Sequence, residues 1–150
     1  MSTVPLRDRH RVVTVIALAM LVSVGAYWVV VELIARLQTQ TYPFPGEVRI
    51  GYAALALGVI VASAALLVRR SMLAGCPADA DAGGRIQVAS VVTFALAEVP
   101  AVLGVTAFQI TGLREAAYPL FVVALAAHAL YFPRWSQWEE WARAAPPTRR

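Results

Sequence analysis

Four long apolar blocks run along the chain, over residues 12–35, 50–68, 86–111 and 116–132, with short polar or proline-bearing stretches between them. A helix rises about 1.5 Å per residue and needs roughly 20 residues to cross the hydrocarbon of a bilayer, so even the last block, at about 17, meets the lower limit. The blocks lack the alternation of strands and are rich in Ala and Leu, and a barrel would need about eight strands at least. The pattern predicts an all-α integral membrane protein: one domain, a four-helix bundle, its apolar faces turned to the lipid bilayer.

The connections are read from their punctuation. Between the first two blocks "TQTYPFPGE" carries Pro43, Pro45 and Gly46, which stop a helix and mark a turn, and Tyr42 and Phe44 suit headgroup depth. Between the second and third, "RRSMLAGCPADADAGGR" reads as a polar, flexible connector. After the fourth block, Trp135, Trp138 and Trp141 recur every third residue with Glu139 and Glu140 opposite, which predicts a short interfacial helix over about 134–143 with the indoles as anchors. The terminal "PPTRR" reads as disordered.

Composition sharpens this picture. Hydrophobic residues make up 59% of the 150 and charged residues only 15%, where a soluble domain would carry about a quarter charged. All thirteen basic residues are arginine. Ten of them, Arg7, Arg9, Arg11, Arg69, Arg70, Arg85, Arg134, Arg143, Arg149 and Arg150, fall on one side of a four-span chain, and only Arg36, Arg49 and Arg114 on the other. The positive-inside bias then puts both termini in the cytoplasm and the spans in a cell inner membrane. The first block follows a basic start, "RDRHRVV", as a signal peptide does, but it is longer than the 7–15 apolar residues of such a segment and is read as a span.

Candidate chemistry is sparse. Cys76 is alone, so neither a disulfide nor a cysteine metal site is expected. His10 and His128 stand apart, and no Ser-His-Asp set or glycine-rich phosphate loop is present; no cofactor, metal, nucleic acid or enzymatic activity is predicted. Glu32, four residues before Arg36, is expected to pair with it along the helix. A lone membrane histidine such as His128 is expected to hydrogen-bond a neighbouring helix.

One residue breaks the apolar pattern deeply. In "TFALAEVPAVLG", Glu98 lies about 12 residues, or roughly 18 Å, into the third block, where an unpaired carboxylate costs at least ~2.5–3.5 kcal/mol. It must be protonated, paired or wet, and with no arginine at comparable depth the reading is a neutral acid at a helix interface. Pro100 removes a backbone donor and frees a carbonyl near Leu96, and the neutral acid is expected to donate to that carbonyl or to one on a neighbouring helix. Thr93, Gln109 and His128 are the further polar candidates. The second block presents Gly51, Ala54, Gly58, Ala62 and Ala65 at near-helical spacing, a smooth face that predicts a tight hairpin with the third.

Residues 50–111 resemble the hairpin of the c-type proteolipid of rotary ATP synthases: the small-residue helix "IGYAALALGVIVASAAL", a polar loop, then "LAEVPAVLG", similar to that family's carboxylate region of the form A-E-x-x-P-x-x-G. The resemblance implies assembly into a ring, with Glu98 taking up and releasing a proton or sodium ion against an arginine of another subunit. Two readings follow. In the leading one the chain is an oligomeric or accessory subunit of a membrane complex, partnered by its own copies or other membrane subunits; in the alternative it conducts or translocates protons or ions through Glu98.

Overall fold

The computed structural model describes residues 5–37, 41–74 and 82–144. Among them the chain is helical without strands: α1 (Leu6–Leu37), α2 (Val48–Ala74), α3 (Ala82–Thr111), α4 (Arg114–Tyr131) and α5 (Trp135–Ala144). Three of these, α1, α2 and α3, are each long and apolar enough to cross a membrane, and α4 with α5 makes a fourth if the pair, bent by 54°, is taken as one span. Cys76, Pro77, Asp79, Asp81 and the "PPTRR" tail lie outside the described residues.

The helices outrun the apolar blocks. α1 begins in "LRDRH", and α2 continues through Arg69 and Arg70 to Ala74, so two arginines expected in a flexible connector are helical, as are Gly83 and Gly84 at the start of α3. Hydropathy marks the part of a helix that sits in hydrocarbon; Arg, Met, Leu and Ala are also good helix formers and carry the backbone past that limit.

α3 is the axis of the bundle. It packs most extensively on α2, then on α4 and α1, and more lightly on α5. The buried residues form two clusters. One gathers Phe94, Ala97, Tyr131 and Trp138 toward the arginine-rich end, where the starts of α1 and α3 meet α5; the other gathers Val24, Val31, Phe108 and Phe121 toward the opposite end.

The loop between α1 and α2 closes the far end of α3. Phe44 and Gly46 donate their amides to the carbonyls of Ile110 and Thr111, both at 3.0 Å, which satisfies groups that the end of a helix leaves free. Gly112 turns the chain into α4 with φ of 73°, and a Cβ there would stand 2.8 Å from the Tyr42 ring, so both conformation and space require glycine.

Candidate functional site

Glu98 faces α1 of the same chain. Its Oε1 is hydrogen-bonded to the Ser23 hydroxyl, and Tyr27, one turn further along α1, lies close to the same carboxyl group. Ser23 Oγ also stands 2.7 Å from the Met20 carbonyl. No ion pair reaches Glu98 among the described residues. The hydrogen-bond partner is therefore neither the carbonyl near Leu96 nor a carbonyl of a neighbouring helix, but the Ser23 hydroxyl of α1, with Tyr27 beside it.

The other sequence candidates do not join it. Thr93, fully buried one turn earlier on α3, spends its hydroxyl on the Ala89 carbonyl at 2.6 Å. Gln109 is exposed. His128 bonds within its own helix, Nδ1 donating to the Ala124 carbonyl at 2.8 Å, and stacks on Phe94 at 6.0 Å, with no hydrogen bond to a neighbouring helix among the described residues. Pro100 is buried inside α3 directly beneath the small-residue face of α2, where a Cβ on Gly58 would come within 3.3 Å of it.

That face lies against both α3 and α4. Gly51 backs onto Ala116, where a Cβ would meet Ala116 Cβ at 2.8 Å, and Gly58 lies on Leu120 as well as Pro100. Ala62 and Ala65 are buried, while Ala54 is half-buried at the margin. Beside it an apolar groove of about 330 Å³ opens between the starts of α2 and α4, lined by Val48, Tyr52, Leu55 and Pro119. Glu115 and the Tyr52 hydroxyl are the polar side chains in that lining, too few for the convergent polar groups of a substrate site.

A second polar contact joins α1 to α4 near the far end. Glu32 accepts a hydrogen bond from the Tyr118 hydroxyl, and Arg114 Nη1 stands 3.5 Å from its Oε2, with Arg36 Nε at 3.9 Å. The Arg36 pairing along the helix is present, but the contacts that cross between helices come from α4. Trp28 stacks on Tyr118 and Phe121 just inside this cluster.

At the arginine-rich end α5 folds back onto the bundle. Trp138 is fully buried, with Trp135 exposed and Trp141 half-buried. His10 donates Nε2–H to the Pro133 carbonyl at 3.1 Å and stands edge-on to Trp135 and Trp138. Trp138 is thus a packing residue of the protein, because α5 turns this face inward and leaves its acidic face outside.

Sequence reasoning passed over Ser23 and Tyr27. A search for arginines at the depth of Glu98 finds none, but Ser23 lies eleven residues into the first block and Glu98 twelve into the third, and both blocks enter from the same side. Compared with known proteins, the chain matches no family model, no curated protein and no solved structure.

Proposed function

We propose that this chain is a structural or accessory subunit of a membrane complex in a cell inner membrane, both termini cytoplasmic, in which Glu98 is a neutral hydrogen-bonding staple between α1 and α3. The observation that carries the reading is the hydrogen bond of the Glu98 carboxyl group to Ser23 of α1, beside Tyr27 and with no ion pair to it among the described residues. If Glu98 is protonated, its O–H donates to Ser23 Oγ and the Ser23 hydrogen serves the Met20 carbonyl, so each of these donors has an acceptor, with Tyr27 beside the carboxyl group. If it is ionised, Ser23 must turn away from Met20 and a charge stays in the apolar layer with no counter-ion. The neutral arrangement supports holding helices together rather than passing ions.

The four-span topology with ten arginines on the cytoplasmic side follows from the positive-inside bias. An oligomer or a membrane partner fits the extensive apolar faces that α1 and α2 leave exposed, which face lipid or another subunit.

Two substitutions test the reading. Glu98→Gln keeps a donor for Ser23 and an acceptor for Tyr27, so proton leak of reconstituted vesicles and thermal stability should both match the wild type. Glu98→Leu strands the Ser23 hydroxyl and should lower stability by about 1 kcal/mol. A proton flux in the wild type that Glu98→Gln abolishes would replace this proposal with the ion-handling one.

A further inference from the structure

The staple leaves one polar group at the arginine-rich end unexplained. Arg69, five residues before the end of α2, is only 7% exposed. Its Nη1 reaches the Tyr131 carbonyl at 3.5 Å, the outer limit for a hydrogen bond, and the Trp141 ring lies over the guanidinium with 5.0 Å from Cζ to the ring centroid. Nε and Nη2 are buried with no hydrogen-bond partner, and no carboxylate pairs with this arginine among the described residues.

A guanidinium stays charged at any ordinary pH and offers a planar fork of five N–H donors. Sealed from water with one long hydrogen bond and one aromatic face, it is an incomplete site, because a buried cation needs an anion or several acceptors to offset its desolvation. The two orphaned nitrogens sit on one edge of the fork. This is the edge that grips two oxygens of a phosphate or carboxylate at once.

Position narrows the class of anion. Arg69 directly follows the apolar run of α2, at headgroup depth in a spanning helix, and the preceding turn exposes Leu66 and Leu67. Arg85 of α3 donates to the Met72 carbonyl at 2.7 Å on the same end, whereas Arg70 is exposed rather than turned into the bundle and forms no part of the pocket. A basic pocket between helices at the cytoplasmic border is the setting in which anionic lipid headgroups are held.

We propose that Arg69 anchors a site for the phosphate diester of an anionic phospholipid, entered when Trp141 moves off the guanidinium, with the acyl chains along Leu66 and Leu67. The cover is a ten-residue helix joined to α4 by residues 132–134 across a 54° bend, and it rests on the bundle chiefly through Trp138.

Native mass spectrometry of the full chain in neutral detergent tests this with three probes: phosphatidylglycerol, phosphatidylcholine of the same acyl chains, and inorganic phosphate. The site predicts preferential retention of one phosphatidylglycerol, an apparent affinity about tenfold lower in Arg69→Gln, and no change in Arg70→Gln. Equal retention of phosphatidylcholine, an equal loss in Arg70→Gln, or no loss in Arg69→Gln would each overturn the site. Binding of inorganic phosphate without lipid preference would overturn the lipid as its source. Asp79→Asn/Asp81→Asn checks the acids of the α2–α3 connection; increased lipid retention in that variant would make them the native counter-ions instead. If Arg69→Gln does not fold, hydrogen exchange of the wild type decides: phosphatidylglycerol but not phosphatidylcholine should raise exchange over residues 135–144, and unchanged exchange there counts against the proposal.

Discussion

Toward α2 and α4, helix α3 presents Pro100 and Gly104 to glycines, alanines and Leu120; toward α1 it presents Glu98 to the Ser23 hydroxyl, with Tyr27 beside it. The first interface works by close approach. A Cβ added at Gly58 would stand 2.6 Å from Leu120 Cδ2, and one added at Gly104 would stand 3.1 Å from the Ala117 carbonyl oxygen, so the backbones are already as near as glycine allows. The second interface is narrower: α1 buries a single stripe of Val13, Ala17, Val24 and Val31 and adds polar contacts at Ser23 and Glu32. In a solvent as apolar as leucine, burying leucine gains nothing, so helices are held either by dense van der Waals contact or by hydrogen bonds. This bundle uses one device on each side of α3. Dense contact spreads its stabilisation over many atoms, whereas the polar contact concentrates it at one depth and so fixes the register of α1.

The comparison breaks most sharply at glycine. Gly58→Leu on α2 forces a side chain into space filled by Leu120 and Pro100 and should destabilise by about 1–3 kcal/mol, read as a lower unfolding midpoint in mixed micelles. Gly25→Leu on α1 makes the same chemical change where a Cβ meets nothing within 4 Å, and it should be neutral to slightly stabilising, since leucine also favours the helix. Similar losses at both positions would mean that α1 is as tightly packed as α2 and needs no staple.

Ser23→Ala tests the other device. The substitution removes one hydroxyl and no packing volume of note, leaving Glu98 with Tyr27 alone. Interhelical hydrogen bonds in membranes average about 0.6 kcal/mol with a ceiling near 1.7, so the loss should fall in that range, below that of Gly58→Leu. It should also be non-additive with Glu98→Leu, because the second change removes the group that the first left unpaired. Full additivity would separate Ser23 from Glu98 and dissolve the staple.

Much of this architecture is legible along the chain because the bilayer imposes a length on each apolar run. The blocks over 12–35, 50–68 and 86–111 locate α1, α2 and α3, and Pro133 locates the bend before α5. What escapes the reading is whatever hydropathy assigns to water or treats as indifferent. Arg69 ends an apolar block by its charge, yet its helix continues and folds the guanidinium under Trp141. Ser23 and Tyr27 are too weakly polar to interrupt α1, although the depth of Ser23 matches that of Glu98. Trp138 sits in a spacing that suits lipid anchoring and core packing equally, and only the backward turn of α5 chooses between them.

The smallest expected effect concerns the outer contact between α1 and α4. Tyr118→Phe deletes the hydroxyl that Glu32 accepts while leaving the ring that stacks on Trp28 at 5.4 Å, so it isolates the hydrogen bond from the packing. Glu32 keeps Arg114 at 3.5 Å and Arg36 at 3.9 Å, and these arginines are 45% and 78% exposed, where water competes for every charge. Exposed pairs of this kind contribute roughly 0–1 kcal/mol, so Tyr118→Phe should cost less than Ser23→Ala, about 0.5 kcal/mol or below. The ranking carries the meaning: a hydroxyl at the depth of Glu98 has no water to replace its partner, and one beside Glu32 does. If Tyr118→Phe proved the costlier of the two, the register of α1 would be set at the outer edge, and Glu98 would be freed for a role other than holding helices.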